Sequence, residues 1–452
     1  MIAATPPSVT GSADGRRQTG MAAMVVSLFF VWGFVTVLND PLIAKLKGLF
    51  SLNYAEAMLT QFAFFLGYFI FSIPAGMVLS RLGYVRTIVL GLTIMAAGCL
   101  MFVPAAMAGT YIGFLCALFV VAAGITTLQV AANPYIAVLG PRATSSSRLT
   151  LAQAFNSLGT FLAPFVGAMF LLQRGVTAPS GATADALRVA RLSEASLVLK
   201  PFLFIACAMI VMAMVFWLVR RAPAPAAGGA EGGIRLHLLR RPRLMFGVLS
   251  IFLYVGAEVA VGSGMTNYLM QESVLGHEAA QIGESASSLL AHMFHHSTRF
   301  NAAQVAGAMV AIYWGFAMVG RFVGSALLVR LAPAKVLCFH ALAAMALALL
   351  SASTVGVTAA VAVLLIGMAN SIMFPTIFTL ALDGLETETA GGSSLLCMAI
   401  VGGAIVPVAY GLVADIAGLA FALVLPAGCY LIIAGYGLFV WRGSRCSHGT
   451  GV

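Results

Sequence analysis

Apolar residues in this chain come in long blocks instead of the one-sided spacing of a soluble amphipathic helix or strand. Runs near the roughly 20 residues needed to cross a bilayer fall at 21–44, 57–79, 86–106, 110–137, 149–172 and 199–219. Six more follow at 244–270, 304–329, 336–353, 356–381, 390–414 and 419–441. The pattern predicts an all-α integral membrane protein of twelve transmembrane helices, with both termini on the same side. Composition agrees, since 61% of the 452 residues are hydrophobic and 8% are charged, where a soluble domain carries about 25% charge. Arg16-Arg17 ahead of the first run has the look of a secretory signal. That run is too long for one, and no small-residue cleavage site leads into a soluble domain, so it reads as span one.

The net charge of +10 would suit nucleic acid if it formed a patch, but the basic residues are scattered through short loops. They report topology instead. With the N-terminus inside, sixteen of the 24 Lys and Arg residues fall on the inner side and seven on the outer, while Arg321 remains within span eight. Both termini and the central loop are therefore expected in the cytoplasm. The expected organisation is a tail at 1–20, a six-helix half at 21–219, a linker at 220–243 rich in Ala, Pro, Gly and Arg, a second half at 244–441 and a tail at 442–452. Six of the seven cysteines lie within spans and Cys446 in the tail, so neither a disulfide framework nor metal-ligand spacing emerges.

The halves resemble each other. Arg81-Leu-Gly-Tyr-Val-Arg86 after span two is echoed by Arg330-Leu-Ala-Pro-Ala-Lys335 after span eight. Gly159 with Pro164 in span five matches Gly402 with Pro407 in span eleven, and Pro134 in span four matches Pro375 in span ten. Three pairs in order at one spacing point to duplication. Two six-helix halves related by an axis along the membrane normal describe the major facilitator architecture, whose substrate site lies between the halves near the midplane.

The ionisable and amide side chains inside spans are the candidates for chemistry. Asp40, in Val37-Leu38-Asn39-Asp40-Pro41, is the one ionisable residue between Met21 and Ile43. A carboxylate there costs roughly 2.5–3.5 kcal/mol on insertion scales and usually faces a bundle interior or ion path. Pro41 lacks an N–H and bends or breaks the helix beside it. The alternative is a helix that ends near Asp40 and leaves the acid at the outer interface. Trp32, Thr36 and Asp40 share one helical face. Thr126, Gln129 and Asn133 in span four share a spacing with Gln153, Asn156 and Thr160 in span five. Such amides can bind hydroxyl-rich ligands or tie helices together as packing contacts. Glu258 lies near the middle of span seven, with Asn267 further along, and Asn370 in span ten is the repeat equivalent of Gln129. Arg321 either snorkels to the inner interface or pairs with a buried acid. His292, His295 and His296 in an outer loop lack the ligand set of a metal site. Asp383, Glu386 and Glu388 read as a solvated inner turn.

Several motifs together resemble the fucose:proton symporter family of major facilitators, in its glucose/galactose transporter branch. They are Leu38-Asn39-Asp40, Gln61-Phe-Ala-Phe-Phe-Leu-Gly-Tyr-Phe69, Leu128-Gln-Val-Ala-Ala-Asn-Pro-Tyr135, Leu149 through Gly159, and Tyr254-Val-Gly-Ala-Glu258. The resemblance covers nearly all twelve spans. It implies sugar import by cation-coupled symport through alternating access, with Asp40 matching the span-one acid of the fucose transporter. That transporter has a second acid in span four where this chain has Gln129, so Glu258 is the candidate to supply the missing carboxylate. On this reading Asp40 and Glu258 couple the cation. Trp32, Asn39, Gln129, Asn133, Gln153, Asn156, Asn267 and Asn370 contact sugar. The resemblance leaves open N-acetylglucosamine or fucose as substrate, sodium in place of the proton, and uniport. No cofactor beyond the coupling ion, no nucleic acid and no metal are expected. The protein is expected as a monomer in the bilayer of a bacterial inner membrane. A membrane enzyme would need a clustered nucleophile, metal set or phosphate motif, and a channel a symmetric pore; the sequence shows neither.

Overall fold

A chain inside hydrocarbon must satisfy its own N–H and C=O groups, which leaves the helix as the spanning element for runs of this length. The computed structural model describes residues 11–37, 50, 54–171, 184–220, 236–276 and 302–448. The first half holds α1 (Gly11–Val37), α2 (Tyr54–Leu82), α3 (Tyr84–Ala108), α4 (Tyr111–Val138), α5 (Ser145–Leu171) and α6 (Ala184–Leu218). The second holds α7 (Pro242–Leu269), α8 (Ala302–Leu327), α9 (Pro333–Ser353), α10, α11 and α12. Among the described residues eleven helices are long and apolar enough to cross a membrane, and the 27-residue α5 fills the remaining place.

The last three spans are not single rods as the apolar pattern suggests. The tenth is split into α10a (Gly356–Asn370) and α10b (Met373–Leu382), and the eleventh runs Thr389–Met398, a 3-10 turn Ala399–Val401, then Gly402–Ala417. The twelfth is a short turn Leu419–Ala422 followed by Val424–His448. Pro375 explains the first break. It has no N–H, so the Ser371 carbonyl four residues earlier loses its helical partner, and the helix parts there. In α4 the equivalent Pro134 stays inside a continuous helix. The carbonyl it orphans, that of Val130, accepts instead from the Ser393 hydroxyl of α11 at 2.8 Å.

The repeat read from sequence is visible as paired close approaches. A Cβ on Gly159 of α5 would strike the Phe30 carbonyl of α1, and one on Gly402 of α11 would strike the Phe252 carbonyl of α7. Each glycine thus lets the fifth helix of its half lie against the first. Gly402→Val should force α11 off α7 and cost about 1–3 kcal/mol of overpacking, read as a lower unfolding temperature of the protein in detergent. An unchanged midpoint would show that the approach is not tight.

The halves meet where α5 packs on α8 and α10, and where α2 and α4 pack on α11. Their shared hydrogen bonds run from the face carrying the linker inward: Ser146 with Thr379 at 2.6 Å, the Ser147 hydroxyl to the Ser325 carbonyl at 2.7 Å, and Ser393 to Val130. At the rim Arg142 reaches across to Asp383 at 2.6 Å, and Arg243 holds the other carboxylate oxygen at 2.9 Å. Glu388 pairs with His237 at 2.7 Å and Arg241 at 3.2 Å. Asp383 and Glu388 are thus ion-paired, not merely solvated as the sequence suggests, because the arginines that follow the topology rule crowd the same face. Exposed pairs of this kind contribute little. The buried hydroxyl bonds do more to keep the halves closed on this side.

Candidate functional site

The polar side chains inside the bundle sort into two related sets. In the first half Gln129 of α4 donates from Nε2 to the Tyr68 hydroxyl of α2 at 2.6 Å. In the second half Asn370, at the end of α10a, donates from Nδ2 to the Tyr313 hydroxyl of α8 at 3.0 Å. Gln129 and Asn370 are repeat equivalents, and their tyrosines come from the second and eighth helices, which are also equivalent. All four are buried. A tyrosine holding an amide by one N–H leaves the carbonyl oxygen and the second N–H of that amide for other partners.

Other expected residues are occupied with packing. Asn156 of α5 donates to the Phe29 carbonyl of α1 at 2.9 Å, and its side chain fills the space over Gly33. Trp32 is buried with its ring 4.6 Å from that of Phe29. The hydroxyls of Thr36, Thr126 and Thr160 turn back to carbonyls of their own helices, those of Trp32, Ala122 and Ser157. Gln153 reaches the Asn133 Oδ1 at 3.5 Å. Among the described residues two amide atoms have no hydrogen-bond partner, Asn133 Nδ2 and Asn370 Oδ1. Buried polar atoms are nearly always bonded, and the Cys397 thiol and the Tyr430 hydroxyl stand beside Asn133 and Asn370 as the neighbouring polar groups.

Asn267 departs from expectation. It lies two residues from the end of α7 remote from the linker and is exposed, apart from the buried amides. The sequence offered it to sugar as a polar residue further along span seven than Glu258, but a residue so near a helix end emerges from the layer in which the amides sit. Asn39, Asp40 and the three histidines of the outer loop lie outside the described residues.

Glu258 and Arg321 come together. The Tyr254 hydroxyl, one turn earlier on α7, donates to Glu258 Oε1 at 2.7 Å, and Arg321 Nη2 of α8 stands 3.5 Å from the same oxygen. Arg321 Nε donates to the Ser371 carbonyl at 3.2 Å, the group left unpaired by Pro375, and Nη1 donates to the Ser157 hydroxyl of α5 in the other half. With 8% of its surface exposed, Arg321 does not snorkel to the interface. The sequence reading missed Tyr68, Tyr313, Ser157, Ser371 and Ser393. The two prolines were the available signal, since each names the carbonyl four residues back that must find a donor elsewhere.

Comparison with known proteins places this arrangement. The Major Facilitator Superfamily pattern matches residues 20–407. The chain belongs to that superfamily. It is 45% identical over 430 residues to the glucose/galactose transporter of Brucella abortus, covering 94% of this chain and 95% of that one. It is 36% identical over 423 residues to the L-fucose-proton symporter of Escherichia coli, covering 91% of each. Among solved structures, the major facilitator transporter FucP in the outward conformation superposes with a TM-score of 0.79 at 33% identity, over 93% of this chain and 98% of that one. The fold expected from the repeat, an all-helical major facilitator fold, is thereby borne out, and so is the resemblance read from the motifs.

Proposed function

We propose that this protein imports a hexose-type sugar, of the glucose/galactose class, by cation-coupled symport with the proton as the coupling ion. The observation that carries the sugar reading is the repeated tyrosine-held amide, Gln129 on Tyr68 and Asn370 on Tyr313. Amides with free donors and acceptors on both sides of a pseudo-axis suit a neutral polyol, because each sugar hydroxyl both donates and accepts. The names of the relatives point to the same substrate class. Asn133 and Gln153 complete the set of amides offered to sugar. The coupling acid is Asp40, and Trp32, Asn39 and Asn156 are assigned to the sugar beside these amides.

Alternating access follows from the interface. The halves are joined on the linker side by hydroxyl pairs and by Arg142–Asp383, bonds weak enough individually to break and re-form as the halves rock. With the linker in the cytoplasm, the side that the positive-inside rule favours for its arginines, closure on this side corresponds to an outward-facing state, and the reading is of a monomer working in a bacterial inner membrane. A cavity of about 690 Å³ lies just under the rim, lined by Tyr84, Pro134, Arg142, Thr379 and Asp383 among others. None of the amide candidates lines it. It is the space that widens into an inner mouth when the rim parts, not the binding site itself.

Uptake of a labelled sugar panel into proteoliposomes under imposed pH or sodium gradients tests the whole reading. Glucose and galactose should accumulate when the outside is acidic and compete with each other, and a cysteine introduced at Ser285 should react only from the side on which sugar enters. Accumulation driven by sodium but not by protons would transfer the coupling to sodium. Reaction of the Ser285 cysteine from the linker side would reverse the orientation.

A further inference from the structure

A carboxylate within a membrane needs neutralising by a proton, a metal ion or a fixed cation of the protein. For Glu258 the structure shows which of these is at hand. Asp40 lies outside the described residues, and the nearest bases in sequence are Lys45 and Lys47. Glu258 has Arg321 at 3.5 Å and the Tyr254 hydroxyl at 2.7 Å.

The pair is also fixed in place. Tyr254, Glu258, Arg321 and Ser371 all belong to the second half, on α7, α8 and the break in α10. Arg321 is anchored by its bond to the Ser371 carbonyl, whose vacancy is a consequence of Pro375 and so is built into the helix. Among the described residues only the bond from Arg321 to Ser157 crosses to the first half. When the halves rock as rigid bodies, the Ser157 bond breaks and re-forms, while the Glu258–Arg321 pair travels intact with its half. An ion pair that never separates carries no net charge and takes up no ion from either side.

We propose that Arg321 is a built-in counter-cation for Glu258, so that Glu258 is a fixed member of the binding chamber and one cation, held at Asp40, moves with each sugar. This replaces the sequence expectation that Glu258 exchanges a second coupling ion. It rests on the symport reading above. It also makes Gln129 intelligible: a chain with a permanently neutralised acid in one half and an amide in span four has one exchangeable carboxylate, not two. Arg321 acts here as a positioning and charge-balancing residue, and has no contact with sugar to make.

The test uses the full-length protein in proteoliposomes. The reversal potential of sugar-coupled current should give one positive charge per sugar in the unaltered protein. Two charges per sugar would overturn the proposal, and this measurement depends on no variant folding. Counterflow exchange, which needs no net movement of the coupling ion, then probes the pair. Glu258→Gln and Arg321→Gln should each lower it by about tenfold or more, because each leaves one buried charge without its partner. The Glu258→Gln/Arg321→Gln double variant should recover most of it and keep one charge per sugar. Single variants that exchange normally would overturn the pairing. So would a double variant that exchanges but no longer accumulates, since Glu258 would then be an exchanging site. If the unaltered protein exchanges sugar but no gradient drives accumulation, it is the symport reading that fails. The loss in the single variants and recovery in the double then decide the pair independently.

Discussion

Asp40→Asn should abolish accumulation of sugar against its gradient while counterflow exchange continues. Asn has nearly the shape of Asp, but it cannot release a cation. In a symporter the loaded carrier crosses with sugar and cation together, and the empty carrier returns. Exchange uses only the loaded crossing, so a side chain frozen in the neutral form can still support it. Net uptake needs release and return, and is lost. The argument comes from the sequence: Asp40 is the one ionisable group between Met21 and Ile43, it precedes a residue that cannot continue a helix unbent, and an isolated carboxylate inside a span is costly and usually functional. Uptake rates and steady-state levels in the same vesicle preparation separate the two activities. Uphill accumulation by Asp40→Asn at the parental level would remove Asp40 as the coupling site and leave Glu258 to be reconsidered. Loss of exchange together with accumulation, in protein inserted at normal amounts, would make Asp40 part of the sugar site instead.

The fold was legible in the sequence because the bilayer restricts the solutions so severely. Apolar length alone located the helices, and Gly and Pro spacing with the paired basic loops located the repeat, since Gly159 and Gly402 had to be small for α5 and α11 to lie against the backbones of α1 and α7. The polar site was harder to read. Periodicity put Asn156, Thr126 and Gln129 on helix faces as equals, but it cannot tell which finds a partner within its own half. Asn156 is consumed by the Phe29 carbonyl and Thr126 by its own helix, whereas Gln129 is held by a tyrosine from α2 and keeps unused capacity. Such distinctions depend on contacts between residues far apart in the chain. Arg321 shows the same limit from the other side. Snorkelling and pairing are equally compatible with its position in span eight, and what decides is the Ser371 carbonyl that Pro375 sets free in a different helix. That much could have been inferred, because a proline inside a span always names an acceptor four residues earlier.

Gln129→Ala should weaken sugar binding by roughly tenfold or more while leaving cation dependence in place. The resemblance sets Gln129 at the position of the fucose transporter's second acid, and as a neutral amide it offers sugar a carbonyl oxygen and one N–H beyond the one given to Tyr68. Truncation removes both and leaves the Tyr68 hydroxyl without its donor. Leaving a buried polar group unsatisfied costs about 1–3 kcal/mol, and 1.4 kcal/mol corresponds to about tenfold in affinity. Tyr68→Phe keeps the amide but frees its orientation, so its effect should be in the same direction and smaller. Thr126→Val is the control from the same helix: that hydroxyl is already bonded to the Ala122 carbonyl at 2.8 Å, and its loss should leave affinity unchanged. Equilibrium binding of labelled sugar to purified protein, with accumulation measured in parallel, checks all three. If Gln129→Ala binds sugar normally but fails to accumulate it, Gln129 belongs to the ion path, and the division between an acid that couples and amides that recognise would have to be redrawn.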